Sequence, residues 1–217
     1  MNSGKLLLLE KIKKKALGLL RLSKGSHDEE HTLRVAALAG HIAKKERADM
    51  FVVLASAYLH DIARPAEDAS GGRVDHAARG AKQAEKILSE LKLDDDEICV
   101  IKEAVETHRF RGSKKPQTKE AKCLFDADKL DSIGAVGIGR AFLFAGETGA
   151  KLHNPGPGIL ETKPYTKEDT AYREFMVKLR HVKDRMQTAE GRKLAARRHK
   201  FMERFFRELD REINGAV

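Results

Sequence analysis

Ala57-Tyr58-Leu59-His60-Asp61-Ile62-Ala63-Arg64 sets a histidine and an aspartate side by side at the end of a segment otherwise built to be buried. The spacing predicts a helix over about 49–63, in which Met50, Leu54, Ala57 and Asp61 recur at intervals of four, three and four. The Asp61 carboxylate therefore falls on an apolar stripe. An ionised carboxylate is costly there unless something neutralises it. A divalent cation does so, and His60, about 100° round the helix from Asp61, can reach the same ion. A His-Asp pair alone carries little information, so the reading turns on whether other ligand types lie on matching faces.

Three other segments supply them. A helix over about 28–46 has the stripe Val35, Leu38, Ala39 and Ile42, which continues back by four residues to His31, while His41 lies off it. A helix over about 94–108 aligns Ile98, Ile101, Val105 and His108, and His76 stands near the start of a helix over about 75–91. The segment 121–140 holds Asp126, Asp128 and Asp131 among small and apolar residues. If it is helical, Asp126 and Asp128 project about 200° apart, so only one of them can join a given group of ligands, with Asp131 placed to support it.

The remaining chain reads as more helix. Residues 5–22 predict a basic amphipathic helix with Leu6, Leu9, Ile12, Ala16 and Leu19 inward, and 66–74 reads as a loop with its turn at Gly71-Gly72. The Gly-, Pro- and Lys-rich stretch 145–169 is too long for a plain connector and suits a flap or an oligomer contact; 154–158 lacks the ending of a phosphate loop. Two helices are expected between 170 and 209, divided near 188–191, with Phe175, Val177, Leu179, Val182 and Met186 as apolar surface. The Arg/Lys-dense run 193–207 is better read as a solvated helical face than as a nucleic-acid surface.

Composition agrees with one all-α domain of about nine helices spanning 1–217, with 41% hydrophobic residues and enough length for a substantial core. The formal net charge of +9 favours anionic partners. The two cysteines, Cys99 and Cys123, have apolar neighbours and read as buried reduced thiols, which excludes a sulfur-built zinc site and suits a soluble cytoplasmic protein. The run Leu6–Leu9 is too short for a signal segment or a membrane span.

Taken together, His31, His60-Asp61 and Asp128 resemble the H...HD...D pattern of the HD-domain superfamily of metal-dependent phosphohydrolases. His-Asp-Ile-Ala-Arg-Pro at 60–65, the His76 segment, Glu106-Thr107-His108, Asp126-Ala-Asp-Lys-Leu-Asp-Ser-Ile-Gly-Ala at 126–135 and the tail 178–212 are similar to one bacterial and archaeal subgroup of nucleotide pyrophosphohydrolases and phosphohydrolases. The resemblance spans nearly the whole chain. It implies a helical bundle holding one divalent ion through His31, His60, Asp61 and Asp128, with Asp126 as the alternative because Asp-Ala-Asp permits a shift of two residues. His76 and His108 resemble positions that bind a second metal in phosphodiesterase-like relatives; the Gly-Tyr-Pro element of the HD-GYP group is absent, which argues against cyclic dinucleotide hydrolysis.

The expected activity is hydrolysis of nucleoside triphosphates to monophosphate and pyrophosphate. The ligand set suits Mn²⁺, with Fe²⁺, Co²⁺, Ni²⁺ and Mg²⁺ as alternatives, and metal-activated water is the expected nucleophile. Asp61, His76 and His108 are the candidate catalytic residues, and Arg64, Lys129, Lys178 and Lys183 the candidate phosphate-binding residues. The competing expectations are a phosphomonoesterase, a phosphodiesterase and a non-catalytic nucleotide- or nucleic-acid-binding module. Self-association is left open, and no membrane partner is expected.

Overall fold

The computed structural model describes residues 1–21, 29–109 and 114–216. Among them are ten α-helices, two short 3-10 segments and no strand, as expected of an all-α chain. They divide into two compact units, Met1–Asp128 with Gln187–Gly191, and Lys129–Met186 with Arg192–Val217.

The first unit contains α1 (Ser3–Leu20), α2 (Glu29–Glu46), α3 (Met50–Leu59), α4 (Arg64–Ala69), α5 (His76–Glu90), α6 (Asp95–Thr107) and most of α7 (Lys119–Asp131). Acidic caps set the starts. Asp49 accepts the backbone N–H of Phe51 and Val52, Asp75 those of Ala77 and Ala78, and Asp94 that of Asp96. Helices α1, α3, α5 and α6 close on one core that includes Ile12, Phe51, Leu59, Leu88 and Ile101. Truncating any of these to alanine costs about 2–5 kcal/mol through lost burial and the cavity left behind.

Several expectations shift. The buried stripe of α1 is Leu9, Ile12, Ala16 and Leu20, with Leu6 and Leu19 exposed, so the phase turns by one residue at the helix end. Helix α3 stops at Leu59, and Asp61 lies in the turn beyond it. Met50 and Leu54, expected on its buried stripe, are only half-buried, whereas Phe51, Val52, Val53, Ala55 and Ser56 are buried. The helix is enclosed on nearly every side, so no single apolar stripe exists to be read. Residues 64–69, the first two of them before the expected loop, form α4, because Pro65 occupies the first helical turn, where its missing N–H leaves no bond unmade. Cys99 is exposed, not buried; Cys123 is buried, which pushes its thiol up to about 12.

The second unit contains α8 (Gly134–Glu147), α9 (Ala171–Val177), 3-10 turns at Ile159–Glu161 and Leu179–Arg185, and most of α10 (Ala189–Ile213). Gly134, at φ +81°, opens α8; a Cβ there would meet Arg198 Cγ at 2.9 Å. The stretch 145–169 is tied to itself: Lys151 N–H donates to the Lys167 carbonyl and the Asn154 amide to that of Glu168. Phe175 stacks on Phe206 with centroids 4.8 Å apart.

Candidate metal centre

Six predicted side chains meet inside the first unit. His31 comes from α2, His60 and Asp61 from the end of α3, His76 from the first position of α5, His108 from the C-cap of α6 and Asp128 from α7. They form two groups, His31–His60–Asp128 and Asp61–His76–His108, in each of which the candidate ligand atoms lie within 4.8 Å of one another. Asp61 faces both. Its Oδ2 is 3.5 Å from His60 Nε2 and 3.8 Å from His31 Nε2, and its Oδ1 is 3.3 Å from His76 Nε2 and 3.5 Å from His108 Nε2. Asp128 Oδ1 stands 3.4 Å from His31 Nε2.

The ring nitrogens show that this donor set suits a cation. His60 Nδ1 lies 2.8 Å from the Ala57 carbonyl and His108 Nδ1 2.6 Å from that of Val105; a carbonyl only accepts, so each Nδ1 carries the proton and each Nε2 a lone pair. The lone pairs converge, with His60 and His31 Nε2 atoms 3.3 Å apart and His76 and His108 Nε2 atoms 3.2 Å apart. Separations of about 3–3.4 Å match the edges of a coordination shell with bonds near 2.1 Å. Burial also favours the neutral form of His60 and His76. It lowers His60 to about 4 against the opposing pull of Asp61, and it lowers His76 against the pulls of Asp61 and Glu67. Neutral imidazoles and carboxylates are the protonation states a divalent ion requires.

Asp126 and Asp128 part company. Asp126 is fully buried and accepts from Gln187 N–H at 2.8 Å, Thr188 N–H at 2.7 Å and the Thr188 hydroxyl at 2.6 Å, all within the first unit. Asp131, expected to support the ligands, pairs with Arg140 at 2.9 Å. Of the candidate phosphate-binding residues, Arg64 begins α4 and lies 3.3 Å from Asp68, whereas Lys129, Lys178 and Lys183 belong to the second unit. Lys178 pairs with Glu174 at 2.6 Å.

Sequence reasoning missed Glu67 and Arg109. Glu67 contacts His76 Nδ1, and its other oxygen takes Arg109 at 2.9 Å. Its burial raises its carboxyl pKa, but the His76 hydrogen bond and the charges of Arg109 and Arg64 together hold it below the usual carboxylate range. A proline in the first helical turn followed two residues later by glutamate was the available signal.

The HD domain family matches residues 29–133, from α2 through α7. YpgQ of Bacillus subtilis, an uncharacterized protein, is 34% identical over 214 residues, 95% of this chain and 94% of that one. The chain belongs to the HD-domain family. A crystal structure of Bacillus subtilis YpgQ in complex with ADP superposes with a TM-score of 0.72 at 30% identity, covering 98% of each chain. An HD-superfamily hydrolase from Bacillus thuringiensis gives 0.76 at 27% identity over 97% of this chain and 98% of that one, and a predicted HD-superfamily hydrolase from an uncultured Thermotogales bacterium gives 0.69 at 28% over 98% and 99%. This HD protein is thus a hydrolase of that superfamily, with grouped histidines and aspartates able to hold a metal. Among its described residues no helix is long and apolar enough to cross a membrane.

Proposed function

We propose that the chain is a nucleotide phosphohydrolase with two divalent cation positions that cleaves nucleoside triphosphates between the α and β phosphates. The observation that carries the two-position reading is Asp61, which turns one oxygen toward each group of ligand atoms. His31, His60 and Asp128 with Asp61 Oδ2 would hold one ion, and His76 and His108 with Asp61 Oδ1 the other; Mn²⁺ is the first candidate, then Fe²⁺, Co²⁺, Ni²⁺ and Mg²⁺. Bound there, a divalent cation supplies Lewis acidity toward a phosphoryl oxygen and lowers the pKa of water.

The chain's own residues set the rest. Nδ1–H donors on His60 and His108 fix those rings so that their Nε2 atoms face the carboxylates. Arg64, which begins α4 in the first unit, is the cation proposed for the substrate phosphates, because a departing pyrophosphate carries more negative charge than a monoester product. The complex of YpgQ with ADP supports a nucleoside phosphate as the substrate class, and the surplus of 42 basic over 33 acidic residues is compatible with it.

Chelator-stripped protein reloaded with Mn²⁺ should convert a triphosphate to monophosphate and pyrophosphate in equal amounts. Asp61→Ala should abolish metal content and turnover together, and Arg64→Ala should impair turnover with metal retained. Orthophosphate as the first product, or consumption of monophosphates only, would refute the pyrophosphohydrolase reading in favour of a phosphomonoesterase.

A further inference from the structure

His76 is held differently from its neighbours. His60 and His108 close their helices, so each finds a carbonyl three residues back for its Nδ1–H. His76 opens α5, and no helical turn precedes it to offer such a carbonyl. Its Nδ1–H donates instead to Glu67 Oε2 on α4, and the same oxygen accepts the His76 backbone N–H at 3.3 Å. Glu67 is buried, and Arg109, the residue after His108, spans from Glu67 Oε1 to Asp75 Oδ2, at 2.9 and 3.1 Å. One carboxylate–guanidinium pair therefore ties α4, the cap of α5 and the end of α6 around the Asp61–His76–His108 group.

A carboxylate that accepts the Nδ1 proton leaves more electron density on the imidazole than a carbonyl does, so the opposite nitrogen is a stronger cation donor; it also fixes the ring's orientation. We propose that Glu67, braced by Arg109, is a positioning residue that sets the cation affinity of the Asp61–His76–His108 group independently of the His31–His60–Asp128 group. The inference rests on the two-position reading above. Its consequence is that the two positions fill unequally, and that the affinity of one is controlled by a side chain that need not touch the ion.

The test is calorimetric titration of chelator-stripped protein with Mn²⁺, with metal counted by atomic emission, on wild type, His76→Ala, Glu67→Gln and Arg109→Gln. Wild type should take two equivalents and His76→Ala one. Glu67→Gln should keep the first equivalent at wild-type affinity and weaken the second by about tenfold to a hundredfold. Arg109→Gln, which leaves the Glu67–His76 contact in place, should weaken the second severalfold. The first equivalent reports on folding within the same titration. If Glu67→Gln leaves the second equivalent unchanged, or weakens both alike, the proposal is overturned while the two positions stand. If Glu67→Gln does not fold, an unchanged second equivalent in Arg109→Gln overturns it. A single equivalent in wild type defeats the two-position reading, and this inference with it.

Discussion

Asparagine substituted for Asp126 and for Asp128, two residues apart on α7, should produce opposite phenotypes. Asp126 accepts three short hydrogen bonds from Gln187 and Thr188 in a fully buried setting. An asparagine there does best with its carbonyl oxygen at the Oδ2 position, keeping both Thr188 donors, and its NH₂ then meets the Gln187 N–H head-on. One charge-assisted bond is lost outright at about 1.5–3 kcal/mol, and the other two weaken to neutral ones. The sum is about 3 kcal/mol, which for a chain of this length lowers Tm by about 6–12 °C. Asp128→Asn instead removes a carboxylate 3.4 Å from His31 Nε2, so Mn²⁺ binding should weaken at least tenfold while Tm of the stripped protein falls far less. Scanning calorimetry of stripped protein and metal counting after reloading read the two axes separately. Equal metal loss in both variants, or a larger Tm loss in Asp128→Asn, would refute the division of roles.

Gly191→Ala should destabilise by about 1–3 kcal/mol, because a Cβ there would overlap the Asp126 carboxylate and lie 2.7 Å from Thr188 Oγ1, neither of which can move without breaking bonds; a Tm within 1 °C of wild type would contradict this. In native protein Cys99 should react with a thiol reagent at neutral pH while Cys123 reacts only on unfolding. Since burial raises the Cys123 thiol from about 9 to about 12, the unfolded chain releases that proton first. The resulting stability is whole below pH 9 and is lost as pH rises toward 12, so wild type should lose stability relative to Cys123→Ala across that window in chemical denaturation; no change in the difference would refute it.

What the sequence made legible follows from the range of the interactions. Helices α2, α5 and α6 were readable because an apolar face and an acidic start lie within a few residues of one another, and His31 and His108 were readable because each extends such a face. Choosing between Asp126 and Asp128 was beyond helical geometry. Both project from one helix, and what commits Asp126 is a pair of residues 61 and 62 positions away. Glu67 falls in the stretch 66–74 that reads as a loop, whereas Pro65 sits in the first turn of a helix that carries it. Cys99 shows the limit of neighbour chemistry: Ile98 is buried, but one helical step of 100° carries the next side chain to solvent.

The charge of the candidate centre links its occupancy to its substrate. The two groups contribute two carboxylates, Asp61 and Asp128, and four imidazoles, of which His60 and His76 are driven toward neutrality by burial. Glu67 and Arg109 cancel one another beside them. With the imidazoles neutral, one divalent cation leaves the set with no net charge, and it has little to offer a phosphate beyond a single coordination position. A second would raise it to about +2 in a buried setting, where an anion is drawn far more strongly than at the surface. On the proposed two-position reading, a residue that governs only the second cation would govern how strongly a nucleotide polyphosphate is held. Glu67 would act on the substrate by that route without touching it.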